Sequence, residues 1–316
     1  MNVSLNNIAK ILEKNDNFYI LSHQYPDGDT LGSAFALCYA LQHKGKNARV
    51  LCSDSIPHKF EFMYENIEEQ NFEAKYIISV DVADTQLLGD KLSIYSDKIN
   101  LCIDHHASNR KYAENYFVDS SAAATTEIIY ELINIMGVKI DVNIANCIYT
   151  GISTDTGCFK YTNATPKTYR IAADMMEIGI DAASINRAMF DTKSRARLEV
   201  ERQVLDNMEF FYDSRCSVIY LTNDMVNQAN AKDGDVDGLA SIPRQIEGVV
   251  VGVTMREKED NIFKISVRTD GKIDASKICA EFGGGGHPAA AGCTISGGLQ
   301  KAKSEIVKAI GKALGE

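Results

Sequence analysis

Seven residues near the start of the chain, His23 to Asp29 in "ILSHQYPDGDTLGS" (20–33), hold one imidazole and two carboxylates. Those are donor types that bind divalent cations. The stretch ends an apolar run, "NFYILSH" (17–23), and opens a helical pattern, so the three side chains sit at a strand-to-helix turn. A structural reading competes, because Pro-Asp-Gly is a favourable turn and Asp29 or Thr30 could cap the following helix. Further along, Asp81 ends the run "YIISVD" (76–81), and Asp104, His105 and His106 end "INLCIDHH" (99–106). Asp155 lies in "GISTDTG", where a helical pattern meets a glycine. Each alone is explained by a turn, a cap or a surface position. Their joint occurrence is not, since four of the six histidines fall at these points or in the glycine-rich stretch around His287. Carboxylates and imidazoles gathered on divalent ions activate water and neutralise phosphate charge.

The surrounding elements explain how such distant residues would meet. The runs 17–23, 48–54, 76–81 and 99–106 read as strands, and 30–45, 123–137, 142–155, 165–179 and 181–191 as helices. Strands alternating with helices imply a largely parallel sheet. The carboxyl ends of its strands share one edge, where ligands bind. Residues 192–211 read as one long charged helix with a thin apolar stripe. Beyond it, 217–223, 249–258 and 261–270 read as strands, and 274–283 and 299–315 as helices. The expected fold is α/β. An N-terminal parallel-sheet domain (1–191) is joined by a helical linker (192–211) to a smaller C-terminal α/β domain (212–316), whose sheet is mixed or antiparallel.

Composition narrows the function. The chain has 316 residues, 45% hydrophobic and 24% charged, as in a soluble globular protein. No apolar run approaches the ~18 residues of a membrane span, and "MNVSLNNIAKILEKND" lacks the parts of a signal peptide. A cytoplasmic protein with no membrane partner is expected. The eight cysteines include no C-x-x-C pair and read as reduced thiols. A net charge of −10 argues against a broad grip on long nucleic acid. It is compatible with a small anionic substrate, because acids that hold cations reverse their local field.

The segments "SHQYPDGDTLGS", "VDVAD", "DHH" and "STDTG", in this order, resemble the four motifs of the DHH phosphoesterase superfamily. "GGGGHPAAAG" (283–292), preceded by "ISVRTD", resembles the C-terminal domain of its first subfamily. The two-domain layout is most similar to the nanoRNases that also act on 3′-phosphoadenosine-5′-phosphate (pAp). The resemblance implies that His23 and Asp27 hold one metal, that Asp29, His105 and Asp155 hold another, and that Asp81 bridges both. It implies that Asp104 orients a histidine and that His106 meets the substrate phosphate. Asp81, Asp104 and His106 are thus the expected catalytic groups. The cofactor implied is two divalent ions, with Mn²⁺ favoured by the mixed ligands. Hydrolysis would proceed by two-metal activation of water.

Four consecutive glycines could form a flexible loop, but glycine also lets backbone N–H groups approach an anion closely. The resemblance implies that Arg268, Gly284, Gly285, Gly286 and His287 line a substrate pocket facing the metals across an interdomain cleft. The expected partners are short oligonucleotides or nucleotide phosphates, and the sequence leaves room for a homodimer. Rival readings are a phosphodiesterase for linear dinucleotides from cyclic-dinucleotide turnover, an inorganic pyrophosphatase and a single-strand DNA exonuclease. From another class comes a catalytically dead nucleotide-binding regulator. The glycine-rich ending speaks against a pyrophosphatase. The chain is short for the exonuclease, and filled ligand positions speak against the regulator.

Overall fold

The computed structural model describes residues 1–316, apart from the Asp233 side chain. The chain divides into two compact units, Met1–Thr192 and Lys193–Glu316.

In the first unit, helix α1 (Leu5–Lys14) precedes strand β1 (Phe18–Leu21), helix α2 (Gly28–His43) and strands β2 (Ala48–Leu51), β3 (Tyr76–Val80), β4 (Leu101–Asp104) and β5 (Asn115–Val118). Helices α3 (Thr125–Ile135), α4 (Val142–Asp155), α5 (Pro166–Ile178) and α6 (Ala182–Asn186) complete it. The five strands form one sheet in the order β2-β1-β3-β4-β5, with every pairing parallel. The central strands β3 and β4 are almost wholly buried, as expected when helices and loops cover both faces. One core packs α2, α3 and α4 against Ile20, Ile78 and Ile103, and a second gathers Leu21, Ile77, Leu88 and Cys102 on the opposite face.

The strand order creates the site. After β1 the chain lays β2 on one side and β3 on the other, so the crevice at the carboxyl ends of β1 and β3 is a topological switch point. Helix α2 starts there and packs closely along α4. A Cβ on Gly28 would stand 2.3 Å from Thr154 Oγ1, so only glycine lets the first turn of α2 meet the last turn of α4. The glycine of "PDGD" is therefore a packing residue.

The second unit holds α7 (Arg195–Asp206), β6 (Glu209–Phe211), β7 (Cys216–Leu221), α8 (Asn223–Gln228), β8 (Val251–Glu259) and β9 (Ile262–Thr269). Helix α9 (Ala275–Ala280), strands β10 (Gly285–His287) and β11 (Ala290–Ser296) and helix α10 (Leu299–Leu314) follow. Its sheet runs β10-β11-β9-β8-β7-β6 and is mixed, with only β7 and β8 parallel. Helices α9 and α10 cover one face through Ile278, Ile306 and Ile310, and α7 packs Val200 and Val204 on Ile219 and Leu221.

One expectation changes here. The helix expected over 192–211 is α7 alone, capped by Ser194 and ended by Asn207. Residues 209–211 pair instead with Cys216–Val218, because Tyr212, Asp213 and Ser214 at positive φ turn the chain back. Within the glycine-rich stretch Gly285–His287 form the first strand of a hairpin, so the flexible-loop alternative does not hold there. Gly286 sits at φ +146°, and a Cβ there would lie 2.6 Å from the Ala290 carbonyl oxygen. The eight cysteines are free thiols. Among the described residues, no helix is long and apolar enough to cross a membrane.

Candidate metal centre

Every metal-ligand candidate in the first unit reaches the switch-point crevice. His23 follows β1, Asp81 follows β3, Asp104 ends β4 with His105 and His106 behind it, and Asp155 ends α4. Three groups are close enough to hold an ion: His23 with Asp27 and Asp81, Asp29 with His105 and Asp155, and Asp81 with His105 and His106. Asp81 is 3% exposed and adopts φ +57°. Such backbone costs an L-residue on the order of 1 kcal/mol or more and gathers at functional sites. Its two oxygens face different partners. Oδ2 lies 3.7 Å from His23 Nε2, and Oδ1 lies 3.7 Å from His105 Nε2.

The histidines are set up as donors. His23 Nδ1 lies 2.7 Å from the Gln24 carbonyl oxygen and His105 Nδ1 lies 3.2 Å from that of Ala122. Donation to those carbonyls places the proton on Nδ1 and leaves the Nε2 lone pairs aimed into the crevice. His23 Nε2 stands 3.6 Å from Asp27 Oδ1, and His105 Nε2 stands 3.6 Å from Asp155 Oδ2 and 3.8 Å from Asp29 Oδ2. These gaps are too long for hydrogen bonds. They fall between the ~3.0 Å of adjacent donors and the ~4.2 Å of opposite donors around an ion with ~2.1 Å bonds. The residues fit a pair of divalent ions.

Supporting bonds fix the carboxylates. Asp27 caps α2, accepting from the N–H groups of Asp29 and Thr30 at 3.0 Å each. The cap that the competing turn reading gave to Asp29 or Thr30 thus belongs to Asp27. Asp29 instead accepts from the N–H groups of Thr125 (2.7 Å) and Thr126 (2.9 Å), capping α3, whose own N-terminal residue Ala124 offers no side-chain cap. The Thr125 hydroxyl donates to Asp81 Oδ1 at 2.8 Å. Asp104 is fully buried; its Oδ1 accepts from His106 Nδ1 at 2.8 Å and its Oδ2 from Asn109 at 2.6 Å. Asp104 therefore orients His106, whose side chain is 43% exposed. Thr125, Thr126 and Asn109 were invisible in the sequence. Only Asn109, five residues past Asp104, stood near a motif.

The electrostatics describe carboxylates crowded without a cation. Burial pushes the Asp81 carboxyl well above its usual range, and Asp29, Asp27 and Asp104 push the same way. Burial also raises Asp29. Burial, followed by the Asp29 charge, lifts Asp155 to about 7, and its place at the C-terminus of α4 is unfavourable for an anion. For Asp104, burial works upward but the bonds from His106 and Asn109 outweigh it, so this carboxyl stays below its ordinary value. The Asp104 bond raises the pKa of His106. Carboxyls raised in this way favour their protonated forms, and a cation would compete with those protons.

The second-unit candidates sit on one hairpin and its neighbour. His287 of β10 pairs with Ala290 of β11, which pairs with Arg268 of β9, so Arg268 and His287 share one row and one face. Arg268 is half-buried, with Nη1 donating to the Val267 carbonyl at 3.1 Å. Gly285, Gly286 and His287 are exposed, and a Cβ on Gly284 or Gly286 would collide with β11.

The chain matches the DHH family N-terminal domain over residues 17–152 and the DHHA1 domain over residues 216–316. It is 31% identical over 315 residues to a bifunctional oligoribonuclease and PAP phosphatase, NrnA, of Thermus thermophilus, covering 97% of this chain and 93% of the relative. The Bacillus subtilis protein of that name is 25% identical over 285 residues, covering 89% and 90%. The crystal structure of an exopolyphosphatase-related protein from Bacteroides fragilis superposes with a TM-score of 0.86 at 29% identity, covering 98% of this chain and 95% of that one. The chain therefore belongs to the DHH family, in the NrnA-like branch that carries a DHHA1 domain after the DHH domain.

Proposed function

We propose that the chain is a metal-dependent phosphoesterase that hydrolyses short oligonucleotides and pAp in the cytoplasm. The observation that carries the reading is Asp81, whose two carboxylate oxygens face the free Nε2 atoms of two different histidines. The near full-length similarity to proteins named as oligoribonuclease and PAP phosphatase supports the substrate class.

In this reading His23 and Asp27 would hold one ion, Asp29, His105 and Asp155 would hold the other, and Asp81 would serve both. Four carboxylates balance two divalent cations, and the mixed imidazole and carboxylate set suits Mn²⁺. A pair of divalent ions held there would supply neutralisation of phosphate charge and a lowered pKa of water, the chemistry of two-metal hydrolysis. The chain's own groups do the rest. Asp104 takes the Nδ1 proton of His106 in a hydrogen bond, so Nε2 is the end that meets substrate. The same carboxylate favours the imidazolium form, whose Nε2–H donates to a phosphate oxygen as negative charge builds. Arg268, Gly284, Gly285, Gly286 and His287 hold the nucleotide.

The test is the purified chain with Mn²⁺ against pAp, dinucleotide, pentamer and roughly twenty-residue RNA, with products separated by size. The reading expects the highest kcat/KM on pAp and on strands of two to about five residues. Processive degradation of the long strand at the rate of the dimer would overturn it.

A further inference from the structure

The turn after Asp155 carries an aromatic ring that the chemistry at Asp81 does not use. Beyond α4 the chain runs through Gly157 (φ +57°), Cys158 (φ +59°) and Phe159 (φ +62°). Such backbone is unfavourable for cysteine and phenylalanine, and it collects at functional sites. Hydrogen bonds hold it there. Cys158 N–H donates to the Ser153 carbonyl at 2.7 Å and Phe159 N–H to Thr156 Oγ1 at 3.1 Å. The N–H groups of Lys160 and Tyr161 both donate to the Thr156 carbonyl at 3.0 Å. Asn163 Nδ2 then donates to the carbonyls of Asp155 (3.2 Å) and Ala123 (3.0 Å). Ala122, beside Ala123, is the residue whose carbonyl stands against His105 Nδ1. The turn is thus tied at both ends to segments that carry the crevice.

Its two aromatic side chains go opposite ways. Phe159 is half-buried, with its ring centroid 6.0 Å from that of Tyr149 and 5.3 Å from that of Tyr169. Tyr161 is 62% exposed, and among the described residues no other aromatic ring packs against it. Its orientation is nevertheless set. A Cβ on Gly157 would stand 2.6 Å from both Cε1 and Cε2 of Tyr161 and would collide with Cζ between them, so Gly157 lies over one face of the ring. The glycine of "TDTG" admits the tyrosine, and the other face of the ring is left to solvent.

Gly157 and Asp155 are two residues apart, so their Cα atoms lie within ~7 Å of each other. A nucleotide whose phosphate sits among the carboxylates and imidazoles of the crevice carries its base one ribose away, within reach of this ring. A ring already held on one face loses little side-chain entropy when a base stacks on the other. Every base has a π-face, so stacking accepts a nucleotide without reading its sequence.

We propose that Tyr161 is a stacking platform for the base of the nucleotide whose phosphate is hydrolysed, and that it selects nucleotides over other phosphate esters. The inference rests on the reading of the chain as a nucleotide phosphoesterase and adds a contact to the base.

The test compares the full chain with Tyr161→Ala and Tyr161→Phe, all in Mn²⁺. Steady-state kinetics are read on pAp and on ribose 3,5-bisphosphate, which has no base. Calorimetry gives the affinity for AMP and for ribose 5-phosphate. Tyr161→Ala should raise KM for pAp and Kd for AMP by about tenfold or more, as loss of a base–aromatic stack does. Its kcat on pAp and its constants for the base-free ligands should stay within about threefold of wild type, the signature of lost uniform binding. Tyr161→Phe should match wild type throughout. Equal losses with and without the base, an unchanged KM for pAp, or a phenylalanine variant as impaired as the alanine one would overturn the platform. If wild type hydrolyses neither bisphosphate, the phosphoesterase reading fails and calorimetry decides alone. AMP binding weakened by Tyr161→Ala and kept by Tyr161→Phe, with ribose 5-phosphate unaffected, then supports the platform, and any other pattern removes it.

Discussion

Asp155→Asn should make the metal-free protein more stable and the metal-bound protein less so. Burial and the neighbouring Asp29 charge lift the Asp155 carboxyl from an ordinary 3.8 to about 7. A carboxyl raised on folding contributes stability that is complete below about pH 4 and is lost as pH rises through about 7. Three units at ~1.4 kcal/mol each come to on the order of 4 kcal/mol between those limits. Asparagine has no proton to lose and keeps a similar shape, so the variant avoids that loss. The assay is the thermal midpoint by circular dichroism at pH 5 and pH 8, in chelator and in excess Mn²⁺. In chelator the variant should melt above wild type at pH 8, with the gap narrowing at pH 5, where wild type still holds the proton. In Mn²⁺ the order should reverse, because wild type offers one more ligand and gains more from binding. Equal midpoints at pH 8 in chelator would refute the crowded-carboxylate argument, and equal gains from Mn²⁺ would remove Asp155 from the ligand set.

Two further substitutions probe the same centre. Asp81→Asn removes the charge of the one carboxylate that faces both histidines, and kcat should fall more than tenfold, at least ~1.4 kcal/mol of lost transition-state stabilisation; steady-state kinetics with saturating Mn²⁺ would show a smaller fall if Asp81 served one ion or none. Gly28→Ala improves helix propensity by ~1 kcal/mol, yet its Cβ would lie 2.3 Å from Thr154 Oγ1 and 2.9 Å from Thr154 Cβ. Overpacking of ~1–3 kcal/mol should therefore win, lowering the urea midpoint and weakening metal affinity as Asp27 and Asp29 shift with the turn.

The parts of this fold legible in the sequence were those set by local pattern. Strands β1 to β4 announced themselves as apolar runs, those of β1, β3 and β4 ending in ligand-type residues, and the parallel order followed from their alternation with helices. What escaped depended on distant partners. Strand β5 is a half-buried edge segment of four residues, and α1 drew attention only as a stretch that is no signal peptide. The hairpin β10–β11 hid behind glycine and alanine, which have low strand propensity; at Gly284 and Gly286 β11 passes too close for a larger side chain. The charged pattern of 192–211 continued past the end of α7, but pairing of β6 with β7 overrode it. Within the centre the ligand types were readable and their supports were not. That Asp29 caps a helix nearly one hundred residues away, and that Thr125 serves Asp29 and Asp81 together, follow from packing alone.

The central claim is that one crevice at the switch point holds two divalent ions on either side of Asp81. Its most direct test is isothermal titration of the metal-stripped chain with Mn²⁺, run in buffers of differing ionisation enthalpy. The account predicts two ions bound per chain, with protons released as the raised carboxyls of Asp81 and Asp155 give way to metal. It also predicts that hydrolysis returns as the sites fill. A single ion per chain, or full hydrolysis by the stripped protein, would contradict it.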